Sequence, residues 1–272
     1  MIKLIFFMLI SSITLLQANI NIVVSVLPQK TFVKAIGKDK VNISVMVKPG
    51  SSPHTYEPKP SQMKNISKAD IYFSIGVEFE KVWLNKFKNQ NKDMIISDCS
   101  SSIKKEYIKE HNHLDPHIWT SPNNVKIIVK NILDKLIFLD PKNKDFYTKN
   151  YKEYIRKIDI LNQNIENILS NLPKNSKFMV FHPAWGYFAK QFNLTQVAIE
   201  IDGKSPKPKD MIKIIQQAKK QNIKAIFTAP EFSQKASKQI AKQLNIKVIQ
   251  VSPLNPKWEQ NLLNLAKAIA NK

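Results

Sequence analysis

From Asn143 to about Leu172 the chain carries neither glycine nor proline. Within that stretch Tyr147, Tyr151, Tyr154, Ile158, Leu161, Ile165, Ile168 and Leu172 recur at steps of three or four, the spacing that gathers side chains on one face of an α-helix. At 1.5 Å per residue the helix spans about 45 Å. That is too long for an ordinary crossover inside one sheet and suits a rod joining two lobes.

The segments on either side alternate between strand and helix patterns. Ahead of the rod, Ile20–Val26, Val41–Val47, Ile71–Ile75 and Met94–Ile96 read as strands. Gln29–Ile36, Ser61–Ser67 (with Ser61 as its cap), Phe79–Phe87 and Ser121–Phe138 read as helices, and Lys104–Asp115 as a polar loop. Serine followed by proline at 121–122 is a strong helix start. Behind the rod, strands are expected at Phe178–Phe181, Thr195–Glu200, Ala225–Thr228 and Lys247–Val251. Helices are expected at Trp185–Phe192, Lys209–Gln221, Ser233–Leu244 and Trp258–Ala270. Such alternation implies parallel sheets flanked by helices. The expected fold is therefore α/β with two lobes, residues 19–142 and 173–272, joined by the helix 143–172.

Residues 1–18 read as a signal peptide: Lys3, an apolar run from Leu4 to Leu16, and Ala18 before the expected cut. The run is shorter than the roughly 20 residues a spanning helix needs. Removal of this segment implies a periplasmic protein without stable membrane insertion. The only cysteine, Cys99, lies far from the cut, so a soluble form is expected rather than a lipid-anchored one, and no intrachain disulfide can form. The formal net charge of +21 raises the question of nucleic acid. Arg156 is the only arginine, however, and lysine supplies the remaining positive charge, spread along polar helix faces. Arginine is the residue that forks onto phosphates and reads guanine. A solvated lysine surface is the expected role, and no nucleic-acid partner.

Five histidines remain, each in a loop or at a strand end: His54, His111, His113, His117 and His182. In open α/β sheets ligands sit outside the carboxyl ends of the strands. His54 follows the second strand in Pro53-His54-Thr55-Tyr56-Glu57-Pro58. His117 precedes the helix that Pro122 opens, within Asp115-Pro116-His117-Ile118-Trp119. His182 follows the first strand after the rod, in Phe181-His182-Pro183-Ala184-Trp185-Gly186. Neutral imidazole suits zinc, copper, nickel or iron better than calcium or magnesium. Spacing along the chain does not by itself bring three loop histidines together. Asp115 is placed either to orient His117 or to cap its turn, while Trp119 and Trp185 read as packing around the site.

The ordered set of segments Pro53–Pro58, Asp115–Trp119, Phe181–Tyr187, Ile199–Lys204 and Ile226–Phe232 resembles the zinc-specific solute-binding proteins of bacterial ABC transporters, the cluster A-I type. The likeness spans essentially the whole chain after residue 18, long helix included. It implies that His54, His117 and His182 bind Zn2+ between two lobes joined by a rigid helix. It implies a monomer that delivers the ion to an inner-membrane ABC permease with its cytoplasmic ATPase. Related manganese binders carry a carboxylate where this chain has His182, so the histidine favours zinc. One departure stands out. The family's fourth ligand is often an aspartate in an Asp-Pro-Leu turn, which here reads Ser252-Pro253-Leu254. Ser252 is a poor zinc ligand, which leaves water, Glu231 or nothing in the fourth position. The resemblance also places a metal-gathering loop at Glu110-His111-Asn112-His113, here so short that a solvated loop is the preferred reading.

Other classes fit less well. His111-Asn112-His113-Leu114-Asp115-Pro116-His117 comes near a metallohydrolase motif, but Pro116 breaks its spacing. No Gly-x-Ser-x-Gly elbow and no glycine-rich phosphate loop occur. The chain is expected to bind and not to catalyse. A zinc-dependent metallohydrolase and a manganese-binding relative of the same transport family are the alternatives, with a surface adhesin ranked low.

Overall fold

The computed structural model describes residues 19–108, 113–201 and 203–270. The expected signal peptide at 1–18 and His111 lie outside the described residues, and so does the side chain of His113. The first sheet is built from β1 (Ile20–Val24), β2 (Val41–Val45), β3 (Ile71–Ser74) and β4 (Ile95–Asp98). All its pairings are parallel, in the order β2-β1-β3-β4. Its inner strands are buried on both faces, as the pattern of β3 shows, which is why they read as apolar runs. α1 (Leu27–Gly37), α2 (Pro60–Ile66) and α3 (Glu78–Gln90) connect these strands. α2 starts one residue earlier than expected, on Pro60, with Lys59 at the cap position in place of Ser61. Proline's fixed φ suits the first helical position.

The polar stretch read as a loop contains a short antiparallel hairpin, β5 (Tyr107–Ile108) with β6 (His113–Leu114). Two-residue strands leave no periodicity in the sequence to detect. α4 (Pro122–Leu139) follows, capped by Ser121, whose Oγ accepts from Asn124 N at 3.2 Å. The long helix α5 (Lys144–Leu169) is a single 26-residue element joining the lobes, slightly shorter at both ends than its apolar pattern. Its buried face carries Tyr147, Tyr154, Ile158, Leu161 and Ile165 of the expected stripe and adds Leu169, while Tyr151, Ile168 and Leu172 are only half-buried.

The second sheet repeats the design with β7 (Ser176–Val180), β8 (Leu194–Ala198), β9 (Ala225–Thr228) and β10 (Lys247–Gln250), parallel and ordered β10-β9-β7-β8. α6 (Gly186–Gln191), α7 (Pro208–Lys220) and α8 (Lys235–Leu244) are its connections. The last helix, α9 (Trp258–Ile269), does not stay with that sheet. It packs on α5 and reaches α1, where Trp258 meets Phe32 edge-on at 5.2 Å between ring centroids. Trp258 Nε1 donates to Trp119 O at 2.8 Å, and Trp119 Nε1 donates to Pro253 O at 2.8 Å. Both indoles are fully enclosed. The chain from Val251 onward is thereby sewn into the core of the first lobe, while Met179, Phe181, Ile199, Ile214, Ile226 and Ile240 form a separate core on the far face of the second sheet.

Candidate metal centre

The carboxyl ends of both sheets face one another, and the loops leaving them carry the polar side chains. His54 follows β2 and Glu78 follows β3, opening α3. Phe79 N donates to Pro53 O at 3.3 Å, which ties these two loops together. From the second sheet, His182 follows β7 and Glu200 follows β8. Their strands stay paired past the last regular residue: Glu200 N donates to Phe181 O at 3.1 Å, setting Glu200 beside His182. His117 comes from the turn after β6, held by Asp115.

The three histidines converge. Their ligand atoms all lie within 4.8 Å of one another, and the Nε2 atoms of His54 and His182 are 3.0 Å apart. The ring centroids are separated by 5.9 Å (His54–His117), 4.8 Å (His54–His182) and 5.2 Å (His117–His182). Around tetrahedral zinc, Zn–N bonds of about 2.0–2.1 Å put ligand nitrogens about 3.3 Å apart. One pair is already near that spacing, and the widest must close by at most about 1.5 Å.

Each imidazole has a carboxylate at its back. His117 Nδ1 lies 2.7 Å from Asp115 Oδ1, His182 Nδ1 lies 2.7 Å from Glu200 Oε1, and His54 Nδ1 lies 3.1 Å from Glu78 Oε2. An ionised carboxylate only accepts, so His117 and His182 carry a proton on the Nδ1 that faces Asp115 and Glu200 and turn Nε2 inward, while His54 pairs with Glu78 through charge. This is the arrangement that orients metal-binding histidines and raises their basicity. Asp115 Oδ1 also accepts from His117 N at 2.9 Å, so it both orients the ring and caps the turn. Gly186 is required beside it. A Cβ there would come within 2.9 Å of Asp115 Oδ2. Tyr187 OH donates to Asp115 O at 3.0 Å, bracing the same turn from the second lobe.

The protonation pattern follows from burial. His182, 9% exposed, is driven down to about 4 by desolvation, against the pull of Glu200; the positive charge of His117 and His54 adds to the drop. For His54 desolvation is again the largest effect and again lowers the pKa. The hydrogen bond and charge of Glu78, with the charges of Glu200 and Asp115, outweigh it and leave His54 raised above 6.5. Desolvation alone would raise Glu78, but its hydrogen bond and charge interaction with His54 hold it at about 2. Two neutral Nε2 lone pairs 3.0 Å apart would repel. A proton held by His54 and donated to neutral His182 satisfies both, and it occupies the place a cation would take.

Spacing brought Asp115 to notice but not Glu78 or Glu200. Glu200 lies in a segment, Ile199–Lys204, that carries the family resemblance, so a signal was present. Glu78 had none beyond being acidic at a helix start, where the helix dipole favours a negative charge. Phe232 stacks on the His182 ring at 4.4 Å and 24°, a contact that sequence reasoning also missed. Trp119 is packed edge-on to His117 at 5.5 Å, as expected of a wall. Cys99 is a buried free thiol.

Residues 22–272 match the family model for ZnuA, the periplasmic component A of the zinc-uptake complex. The chain belongs to this family. A ZnuA crystal structure superposes with a TM-score of 0.89 at 40% identity, covering 93% of this chain and 98% of that one. A zinc-bound ZnuA with residues 138–173 deleted gives 0.88 at 39% identity, covering 93% and 97%. The manganese ABC transporter substrate-binding lipoprotein ScaA of Streptococcus gordonii is 32% identical over 227 residues, 79% of this chain and 73% of the relative. ZnuA-type proteins are metal-binding, extracytoplasmic solute-binding proteins of ABC importers, not enzymes, and they work with a membrane permease and an ATPase. No helix among the described residues is long and apolar enough to cross a membrane.

Proposed function

We propose that this chain binds Zn2+ in the periplasm through His54, His117 and His182, and delivers it as a monomer to the permease of an ABC importer. One observation carries the reading: three imidazoles converge, each with a carboxylate on its outer nitrogen. The inward donors are all nitrogen, the choice of a borderline ion such as Zn2+, while Mn2+ prefers oxygen. The likeness to ZnuA structures, one of them zinc-bound, points the same way.

Manganese is the second reading, because the streptococcal relatives are named as manganese transporters. On the zinc reading the lobes make only small adjustments on loading. A wide hinge motion between 19–142 and 173–272 would pull Trp258 away from Phe32 and Trp119. Competitive titration of metal-free protein with Zn2+ and Mn2+ against a chromophoric chelator tests the proposal. Zinc should win by orders of magnitude, and His54→Ala, His117→Ala and His182→Ala should each lose most of the affinity. Manganese preference, or a histidine variant with unaltered zinc affinity, would count against it.

A further inference from the structure

We propose that Glu231 supplies a fourth protein ligand to the metal and that Ser252 holds its carboxylate ready, an inference that rests on the three-histidine site proposed above. Both residues leave adjacent strands of the second sheet on the side of the histidines. Val251 N donates to Thr228 O at 2.8 Å, carrying the β9–β10 pairing to the point where the two loops diverge. There Ser252 Oγ donates to Glu231 Oε1 at 2.7 Å and accepts from Leu254 N at 3.0 Å. The other oxygen, Glu231 Oε2, is buried and has no hydrogen-bond partner. The neighbouring side chain, Phe232, lies flat on His182 and 6.5 Å from the His54 ring.

A carboxylate oxygen removed from water without a donor is costly and needs a cation or a proton to justify it. Three neutral imidazoles leave the full charge of a divalent ion uncompensated by any direct ligand, and zinc completes a tetrahedron with one more donor. The carboxylates of Glu78, Asp115 and Glu200 are already engaged with ring Nδ1 atoms. The hydroxyl of Ser252 takes the turn-forming role toward Leu254 N–H that an aspartate oxygen could also fill. Its proton then points at Glu231. The negative charge at this corner of the site is supplied by Glu231, with the Ser252 hydroxyl as its tether.

The test combines zinc titration against a chelator with the visible absorption of the Co2+-loaded protein, for wild type, Glu231→Gln, Ser252→Ala, the double variant Glu231→Gln/Ser252→Asp, and His117→Ala. Glu231→Gln should weaken zinc binding about 10- to 100-fold and shift the Co2+ ligand-field bands as an oxygen anion leaves the coordination sphere. Ser252→Ala should show a smaller loss. The double variant should recover most of the affinity, because the charge is then supplied from position 252. Unchanged affinity and spectrum in Glu231→Gln, beside a severe loss in His117→Ala, overturn the fourth ligand and leave the histidine site standing. Unchanged binding in His117→Ala removes the site itself. A double variant no better than Glu231→Gln overturns the transfer of charge between the two positions.

Discussion

The Nδ1 atom of His182 lies 2.7 Å from the carboxylate of Glu200, itself only 3% exposed, so this imidazole is held by an anion that reaches it from the next strand of its own sheet. The pair is held because the parallel pairing runs on past the regular strands, with Ile199 N donating to Val180 O and Glu200 N to Phe181 O, the residue just before His182. Glu200→Gln preserves the shape but offers the ring a weaker, neutral acceptor. Metal affinity is expected to fall about 10- to 100-fold with little change in secondary structure. Chelator competition beside far-UV circular dichroism measures both; an unchanged dissociation constant would show that Glu200 does not tune the ring.

Metal binding should compete with one proton near neutrality. Glu78 and the neighbouring carboxylates outweigh desolvation and raise the pKa of His54, so in metal-free protein the ring is protonated more readily than a free imidazole as pH falls, and a metal must displace the proton. Affinity should therefore drop on acidification from about pH 8 to 5. Calorimetry in buffers of different ionisation enthalpy should show proton release per ion that grows on acidification from pH 8. His182, held near 4, should contribute no proton in that range. No pH dependence between 8 and 5 would rule out imidazole ligation.

Glu80, buried in the first lobe at 3% exposure, is a second pH-sensitive element. Its carboxylate accepts from Ser25 Oγ, from Ile75 N at 2.9 Å and from Gly76 N at 2.7 Å, yet desolvation still raises it to about 7. A carboxyl raised in the folded state favours folding below its unfolded pKa and loses that contribution as pH rises toward 7. The loss is about 3 kcal/mol at most. Between pH 5 and 8 the melting temperature of Glu80→Gln should fall less steeply than that of wild type. Parallel curves would mean that Glu80 does not titrate in this window.

Trp258→Ala should destabilise the protein by about 3–5 kcal/mol, the usual result of emptying a large core site. Both its ring contact with Phe32 and its hydrogen bond to Trp119 O are lost. Because Trp119 also donates to Pro253 O, the loop bearing Ser252 should loosen. Urea unfolding measures the first effect, and amide exchange at residues 251–255 the second. A stability change under 1 kcal/mol would contradict the brace.

Much of this protein is legible in its sequence because its signals are local. The alternation of apolar runs, Ser121-Pro122 at a helix start, and the stripe from Tyr147 to Ile165 each follow from short-range periodicity and capping. The loop histidines stood out for the same reason: imidazoles beside prolines at strand ends are visible one at a time. Contacts between residues far apart in the chain were not legible. Glu78 behind His54 is a matter of two loops meeting, and Glu200 behind His182 of strand register. The return of α9 to the first lobe depends on where Trp258 finds an apolar pocket, which no periodicity encodes.

By itself the sequence determined two α/β lobes, a connecting helix and three histidines able to bind a borderline metal. The tertiary structure decided that these histidines meet and that each turns Nε2 inward. It also decided that His54 and His182 are shifted in opposite directions. The reason is physical. Ligand type and helical pattern belong to single residues and their neighbours, whereas tautomer, desolvation and charge balance depend on groups brought within about 3 Å by folding.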